Sequence, residues 1–263
     1  MLSTTEIKNI DKILISAQLS FKTLRQSKKW LIYVVLSLIP LLYTLLVQDK
    51  LLGASNGMDA FFNFLMGTHF YIFFGFGCLI IALPISSDEL SDNTIDFFIV
   101  RPIPREFLYL TRYAVLIGAI TIVNFLIALV YFIFYQLNDW EQFSSKMIEN
   151  ILVLPMVIVF FFIVGIFYAS LFLVIGFVGR DGLTVGLLIA IIDLLFSTIE
   201  IQSIRNIMPK VHAEVIASEL FGSFYTLNKV NPPDLTTSLL TLGLYALALL
   251  LIGVYSFKTK EIK

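Results

Sequence analysis

Residues 151–178 read ILVLPMVIVFFFIVGIFYASLFLVIGFV and carry no charge. A helix of about 20 apolar residues crosses the hydrocarbon core of a bilayer, so this stretch is long enough to span one. Working outward, apolar runs recur at 183–199, 107–135, 61–85 and 31–47 on one side and at 235–257 beyond the next polar stretch. Across the 263 residues 58% are hydrophobic and only 14% charged, against about a quarter charged in soluble domains. A soluble core does not require so many uncharged stretches of this length. In lipid each run must be a helix, because unpaired backbone amides find no water there. The expected fold is an all-α integral membrane protein with six transmembrane helices.

Six spans place both termini on one side, and the basic residues choose it. With the N-terminus cytoplasmic, 13 of the 18 lysines and arginines face inward and 5 outward. Both termini are therefore expected to be cytoplasmic, in a multi-pass protein of the cell (plasma) membrane. Residues 1–30 lack the apolar core and small-residue cleavage site of a signal peptide. Instead Ile10, Leu14, Ala17, Phe21 and Leu24 recur at helical spacing, with Lys22, Arg25 and Lys29 among the polar positions. That pattern predicts an amphipathic helix lying in the cytoplasmic interface, with the bilayer as its partner. The organisation reads as 1–30 interfacial, 31–257 transmembrane and 258–263 a cytoplasmic tail. Within the membrane unit, 200–234 is expected to form a short helical cap on the outer surface.

Some chemistries are poorly served by this composition. A net charge of −1 gives no reason to expect a nucleic-acid partner. Cys78 is the one cysteine, so no intrachain disulfide or thiolate metal site can form. His69 and His212 stand far apart with no HExxH spacing, which disfavours an intramembrane metalloprotease, and no metal site is expected. Two polar residues fall inside spans. Asp193 lies among Ile191, Ile192, Leu194 and Leu195, where a carboxylate is costly unless protonated, paired or hydrated. Asn124 suits an interhelical hydrogen bond. Both are candidates for a translocation path or a dimer seam; a neighbouring-helix hydrogen bond accounts for Asp193 equally simply and is the simpler reading of Asn124.

The segment between the second and third spans, SSDELSDNTIDFFIVRPIPREF at 86–107, is the informative one. It opens acidic, with Asp88, Glu89, Asp92 and Asp96, and closes basic, with Arg101 and Arg105. Ile95, Phe97, Phe98, Ile99 and Val100 form an apolar patch between them, and Pro102 and Pro104 stop a helix. A short helix outside the membrane with an apolar face is a docking element for another protein, or a turn folded back on its own bundle.

This segment resembles the loop between spans two and three of type-two ABC exporter permeases, through Glu89, Thr94, Phe97-Phe98, Pro102 and Arg105. Asn93 stands where the family usually has glycine, a mild departure because asparagine tolerates similar backbone angles. The layout is also similar: an interfacial helix, six spans, and a structured outer segment before the last. The resemblance implies that the loop at 86–106 is a coupling helix, seated in a cleft of a separate ATP-hydrolysing subunit. Glu89, Thr94, Phe97 and Phe98 would then transmit force, with Arg101, Pro102 and Arg105 anchoring the loop. The sequence contains no GxxxxGK[ST], so no cofactor is expected in this chain and Mg-ATP would act in the partner. Two copies of that P-loop ATPase and a second permease copy, identical or related, complete the implied assembly. This chain is thus expected to be a non-enzymatic exporter subunit. The alternatives are an ion-coupled secondary transporter, which usually carries more intramembrane charge, and a non-transporting scaffold for an ATPase complex.

Overall fold

The computed structural model describes residues 4–51, 57–86, 104–138, 147–178, 182–197, 206–222 and 232–259, with isolated positions at 144, 201, 203 and 225. Among the described residues every regular element is helical. Four helices are long and apolar enough to cross a membrane: α3 (Gly57–Ile85), α4 (Arg105–Leu137), α5 (Met147–Phe177) and α8 (Leu235–Thr259). Each covers a predicted span. The other two runs also form helices, α2 (Lys29–Leu51) and α6 (Gly182–Ser197). Their described apolar stretches, Lys29–Leu42 and Gly182–Ser197, are shorter. Before them stands α1 (Thr4–Ser27), and between α6 and α8 stands α7 (Pro209–Phe221).

Helix α5 is the hub, packed against α3, α4, α6, α7 and α8. Its sequence explains this, since it is apolar on every face and needs no water-facing side. Phe160, Phe161, Val164, Tyr168 and Phe172 are all buried, and their rings mesh with Phe70, Phe74 and Phe221 from α3 and α7. In lipid, water drives no apolar surfaces together, so ring packing and close backbone approach hold such helices. Gly77 supplies one such approach: the ring of Tyr33 from α2 occupies the place of its missing side chain. Gly186 on α6 receives Leu79, and Gly253 on α8 receives Tyr109. Outward-facing Leu, Ile and Phe on α2, α4, α6 and α8 remain exposed, as a lipid-facing surface requires.

Pro84 sits in the 3₁₀ turn that ends α3. Pro155 follows a break at Leu152 that divides α5 into Met147–Ile151 and Val153–Val178. Within α3, however, Asn63–Phe74 is wound as a π-helix. A continuous π segment of this length is unusual, because such geometry ordinarily appears as a single-turn bulge.

Two helices lie outside the predicted spans. In α1 the buried face is Ser16, Ser20 and Leu24, while Leu14 and Phe21 of the expected apolar stripe are exposed; the side chain of Ile10 lies outside the described residues. Serine permits close packing because its hydroxyl can bond within its own helix, as Ser20 does to the Ser16 carbonyl at 3.0 Å. The chain then turns at Lys28, whose φ of 53° separates α1 from α2. Helix α7 is no surface cap: Lys210 to Ala217 are all buried, between α5, α6 and α8. Three of its four charged or titratable residues, Lys210, His212 and Glu214, are accommodated inside the bundle, and Glu219 is exposed.

Candidate functional site

Helix α3 presents two polar residues from its π-wound segment, and each belongs to a different cluster. His69 is fully buried and joins Tyr33 of α2 and Asn124 of α4. The Tyr33 hydroxyl donates to Asn124 Oδ1 at 2.5 Å, and His69 Nε2 lies 3.0 Å from the same oxygen. Asn124 Nδ2 is committed to the Ile120 carbonyl at 2.7 Å, so Oδ1 is the acceptor and Nε2 carries the imidazole proton. His69 Nδ1 is then left without a hydrogen-bond partner among the described residues, and the imidazole packs edge-to-face with the rings of Tyr131 and Phe161. Tyr131 in turn donates to the Ser37 carbonyl, tying α4 to α2. Asn124 is therefore the interhelical hydrogen bond its sequence context suggests, linking three helices.

The second cluster gathers around Asp193, which lies four residues before the end of α6 and not at its centre. Tyr168 of α5 donates to Asp193 Oδ2 at 2.6 Å, while Oδ1 is buried with no hydrogen-bond partner among the described residues. Lys210, in the first turn of α7, brings its positive charge within electrostatic range of Asp193. The helix dipole adds to that field, since its positive end is at the N-terminus. The same ammonium donates to the Tyr71 carbonyl and lies 4.2 Å from the centre of the Tyr71 ring. Ser197 closes the circuit by donating to the Tyr71 hydroxyl at 3.2 Å. Glu214, one turn further along α7, is buried within electrostatic reach of Tyr71 and Tyr225. Asp193, Lys210 and Glu214 thus place two acids and one base where α3, α5, α6 and α7 meet.

His212 faces the other way from Lys210. Its Nε2 donates to the Asn206 carbonyl at 2.8 Å, and Nδ1 accepts from the Ser238 hydroxyl of α8 at 3.2 Å. Burial holds this imidazole below the ordinary histidine range. At the start of α8, the Thr237 hydroxyl and amide both donate to Asp234 and hold its carboxyl below the usual carboxylate range.

Of the residues named for the 86–106 loop, Glu89, Thr94, Phe97, Phe98, Arg101 and Pro102 lie outside the described residues. Arg105 is described, and its Nη1 donates to the Lys258 carbonyl at 3.2 Å. Beside it Lys258 Nζ and Glu106 Oε1 are 2.6 Å apart. Arg112 is fully buried, with its guanidinium over the rings of Phe177 and Phe257. The segment that leads into the loop (Leu83–Ile85) and the start of α4, which leads out of it, both pack against α1. The N-terminal helix, both anchor points of the loop and the end of α8 therefore gather at one end of the bundle.

Asp193 and Asn124, paired in the sequence as membrane-embedded candidates, occupy separate clusters with no hydrogen bond between the clusters among the described residues. No group of three His, Cys, Asp or Glu able to hold a metal ion occurs among the described residues. Tyr33, Tyr71, Tyr168 and Lys210 were not legible as site residues, because each acts through partners remote in sequence. Comparisons with protein-family models, curated proteins and solved structures give no match.

Proposed function

We propose that this chain is the membrane-spanning permease subunit of an ABC exporter, with six spans and both termini cytoplasmic. It couples through residues 86–106 to a separate P-loop ATPase that hydrolyses Mg-ATP, and it assembles with a second permease copy. The observation that carries this reading is the gathering at one end of the bundle. A force applied to the loop at 87–103 meets α1 on both its entry and its exit, and meets α8 through Arg105 and Lys258. Movement of the loop would therefore displace α1, α3, α4 and α8 together instead of bending one connection. The motif at Glu89, Thr94, Phe97, Phe98 and Pro102 supplies the surface for the partner.

On this reading the Asp193–Lys210–Tyr71 cluster is a closure that ties α7 to the middle of α3 and to α6. Outward opening would break it. The test is purification of the tagged chain from its native membranes in mild detergent. A stoichiometric P-loop subunit with ATPase activity, lost on Phe97→Asp with Phe98→Asp while membrane insertion persists, supports the proposal. Co-purification unaffected by those substitutions contradicts the coupling assignment.

A second reading, ion-coupled transport, draws on the buried Asp193 and its open Oδ1. Transport persisting without any ATPase subunit and abolished by Asp193→Asn would favour it.

A further inference from the structure

An open groove of about 430 Å³ runs between α1 and α4, with Ile13 and Ala17 on one wall and Phe107, Leu110, Ala114 and Val115 on the other. Thr111 also lines it, but its hydroxyl is bonded to the Phe107 carbonyl at 2.7 Å, so it offers the groove no free donor. We propose that this groove is a binding site for an anionic phospholipid, with an acyl chain along the groove and the phosphate against the basic strip of α1.

The angular order of α1 carries the assignment. Taking Ile13 as the origin, at roughly 100° per residue, Ser16, Ser20 and Leu24 fall between about −60° and +20°. These are the buried positions. Ile13 itself, between Ser20 and Leu24 in angle but a turn or more nearer the N-terminus, lines the groove with Ala17 at about 40°; Phe21 and Leu14 follow at about 80° and 100°, Arg25 at about 120°, Lys22 near 180° and the exposed Ile15 near 200°. Leu14 and Phe21 are exposed, as are Lys22 and Arg25. Moving around the helix, one passes from protein contact to apolar groove, to an exposed apolar strip, and then to positive charge. A phospholipid presents the same sequence from chain to headgroup. Charge complementarity selects an anionic headgroup. Residues 13–30 contain Lys22, Arg25, Lys28 and Lys29 and no acid, and Glu106 nearby is already engaged by Lys258. A basic strip of this kind attracts anionic lipid by about 1 kcal/mol per residue at the surface.

The inference needs only a bilayer around the bundle and stands apart from the ATPase reading. It gives α1 a lipid-dependent attachment to α4.

Native mass spectrometry of the full chain tests it, after exchange into detergent containing equal phosphatidylglycerol and phosphatidylcholine. The wild type is expected to retain phosphatidylglycerol in preference. Ala17→Phe and Ala114→Phe, which fill the groove, should abolish retention, while Leu126→Phe on the exposed face of α4 should not. Arg25→Glu should lower the phosphatidylglycerol preference by about fivefold or more, the factor equivalent to one basic residue at an anionic surface. Equal retention of the two lipids by the wild type would overturn the proposal, as would unchanged retention in either groove-filling variant. So would Ile13→Cys cross-linking between two copies in liposomes of that composition, which would make the occupant a second chain. If the phenylalanine variants fail to fold, Arg25→Glu decides alone: an unchanged lipid ratio overturns the headgroup assignment.

Discussion

The ammonium of Lys210 donates to the backbone carbonyl of Tyr71 and lies 4.2 Å above the same residue's ring. One side chain of α7 thus engages both the backbone and the aromatic face of a residue in the π-wound part of α3. The contact also compensates a lysine that is only 4% exposed, where an uncompensated charge would be costly.

Lys210→Met therefore removes a cation that several buried groups share. The expected loss is about 3 kcal/mol of stability, as when one member of a buried ionic group is deleted. Amide exchange in 209–221 should rise well before exchange in α5. Equal protection of 209–221 in the variant and the wild type would remove Lys210 from its clamping role.

Gly77 and Gly186 are contact points between helices. An added methyl at either meets Tyr33 or Leu79, and Gly77→Ala or Gly186→Ala is expected to destabilise by about 1–3 kcal/mol. Combining Gly77→Ala with Tyr33→Ala should cost less than the sum of the two single changes, because the clash disappears with the ring. Thermal unfolding in detergent reads both effects, and strict additivity would contradict the packing described.

Asn124→Leu strips Tyr33 and His69 of their common acceptor. The expected loss is about 1–2 kcal/mol, the upper part of the range for polar contacts between membrane helices. Tyr33→Phe should cost less once Asn124 is replaced, because the hydroxyl then keeps only its longer contact with His69 Nε2 at 3.4 Å. An undiminished loss would show that Asn124 is not the hydroxyl's main partner.

His212 gives α7 a pH dependence of defined sign. Burial lowers its folded-state pKa from the ordinary 6.5, so the unfolded chain binds the proton more readily than the fold. The stability this neutral ring contributes is complete above the ordinary value and is lost as pH falls through the lowered one. Melting curves between pH 7.5 and pH 5 should show destabilisation on acidification, smaller in His212→Gln. An identical pH dependence in the variant would assign the effect to another group.

The helices at Gly57–Ile85, Arg105–Leu137, Met147–Phe177 and Leu235–Thr259 were legible because a long uncharged run has one stable conformation in lipid. That same uniformity concealed the π-winding of Asn63–Phe74: periodicity cannot be read where nearly every face is apolar. The seat of α7 was misread for the opposite reason. Lys210, His212 and Glu214 mark an exposed segment by composition, and only their partners on α3 and α8 explain their burial. The partners of Asn124 were equally hidden, since Tyr33 is 91 residues away along the chain. In α1, helical spacing identified an amphipathic helix, yet the face that packs is the serine face. Hydrophobicity alone ranks serine as the poorer packing residue, although close helix approach in lipid favours small side chains.

The most direct test of the coupling claim is a photo-cross-linking side chain placed at Phe97 in the intact membrane complex, with ATP present. Cys78 is buried, so a cysteine-directed label on an introduced cysteine would serve as well. The account predicts a cross-link to a P-loop ATPase, with yield that changes between the ATP-bound and nucleotide-free states. Cross-links confined to the chain itself would mean that 86–106 folds back on its own bundle, and would contradict the permease assignment.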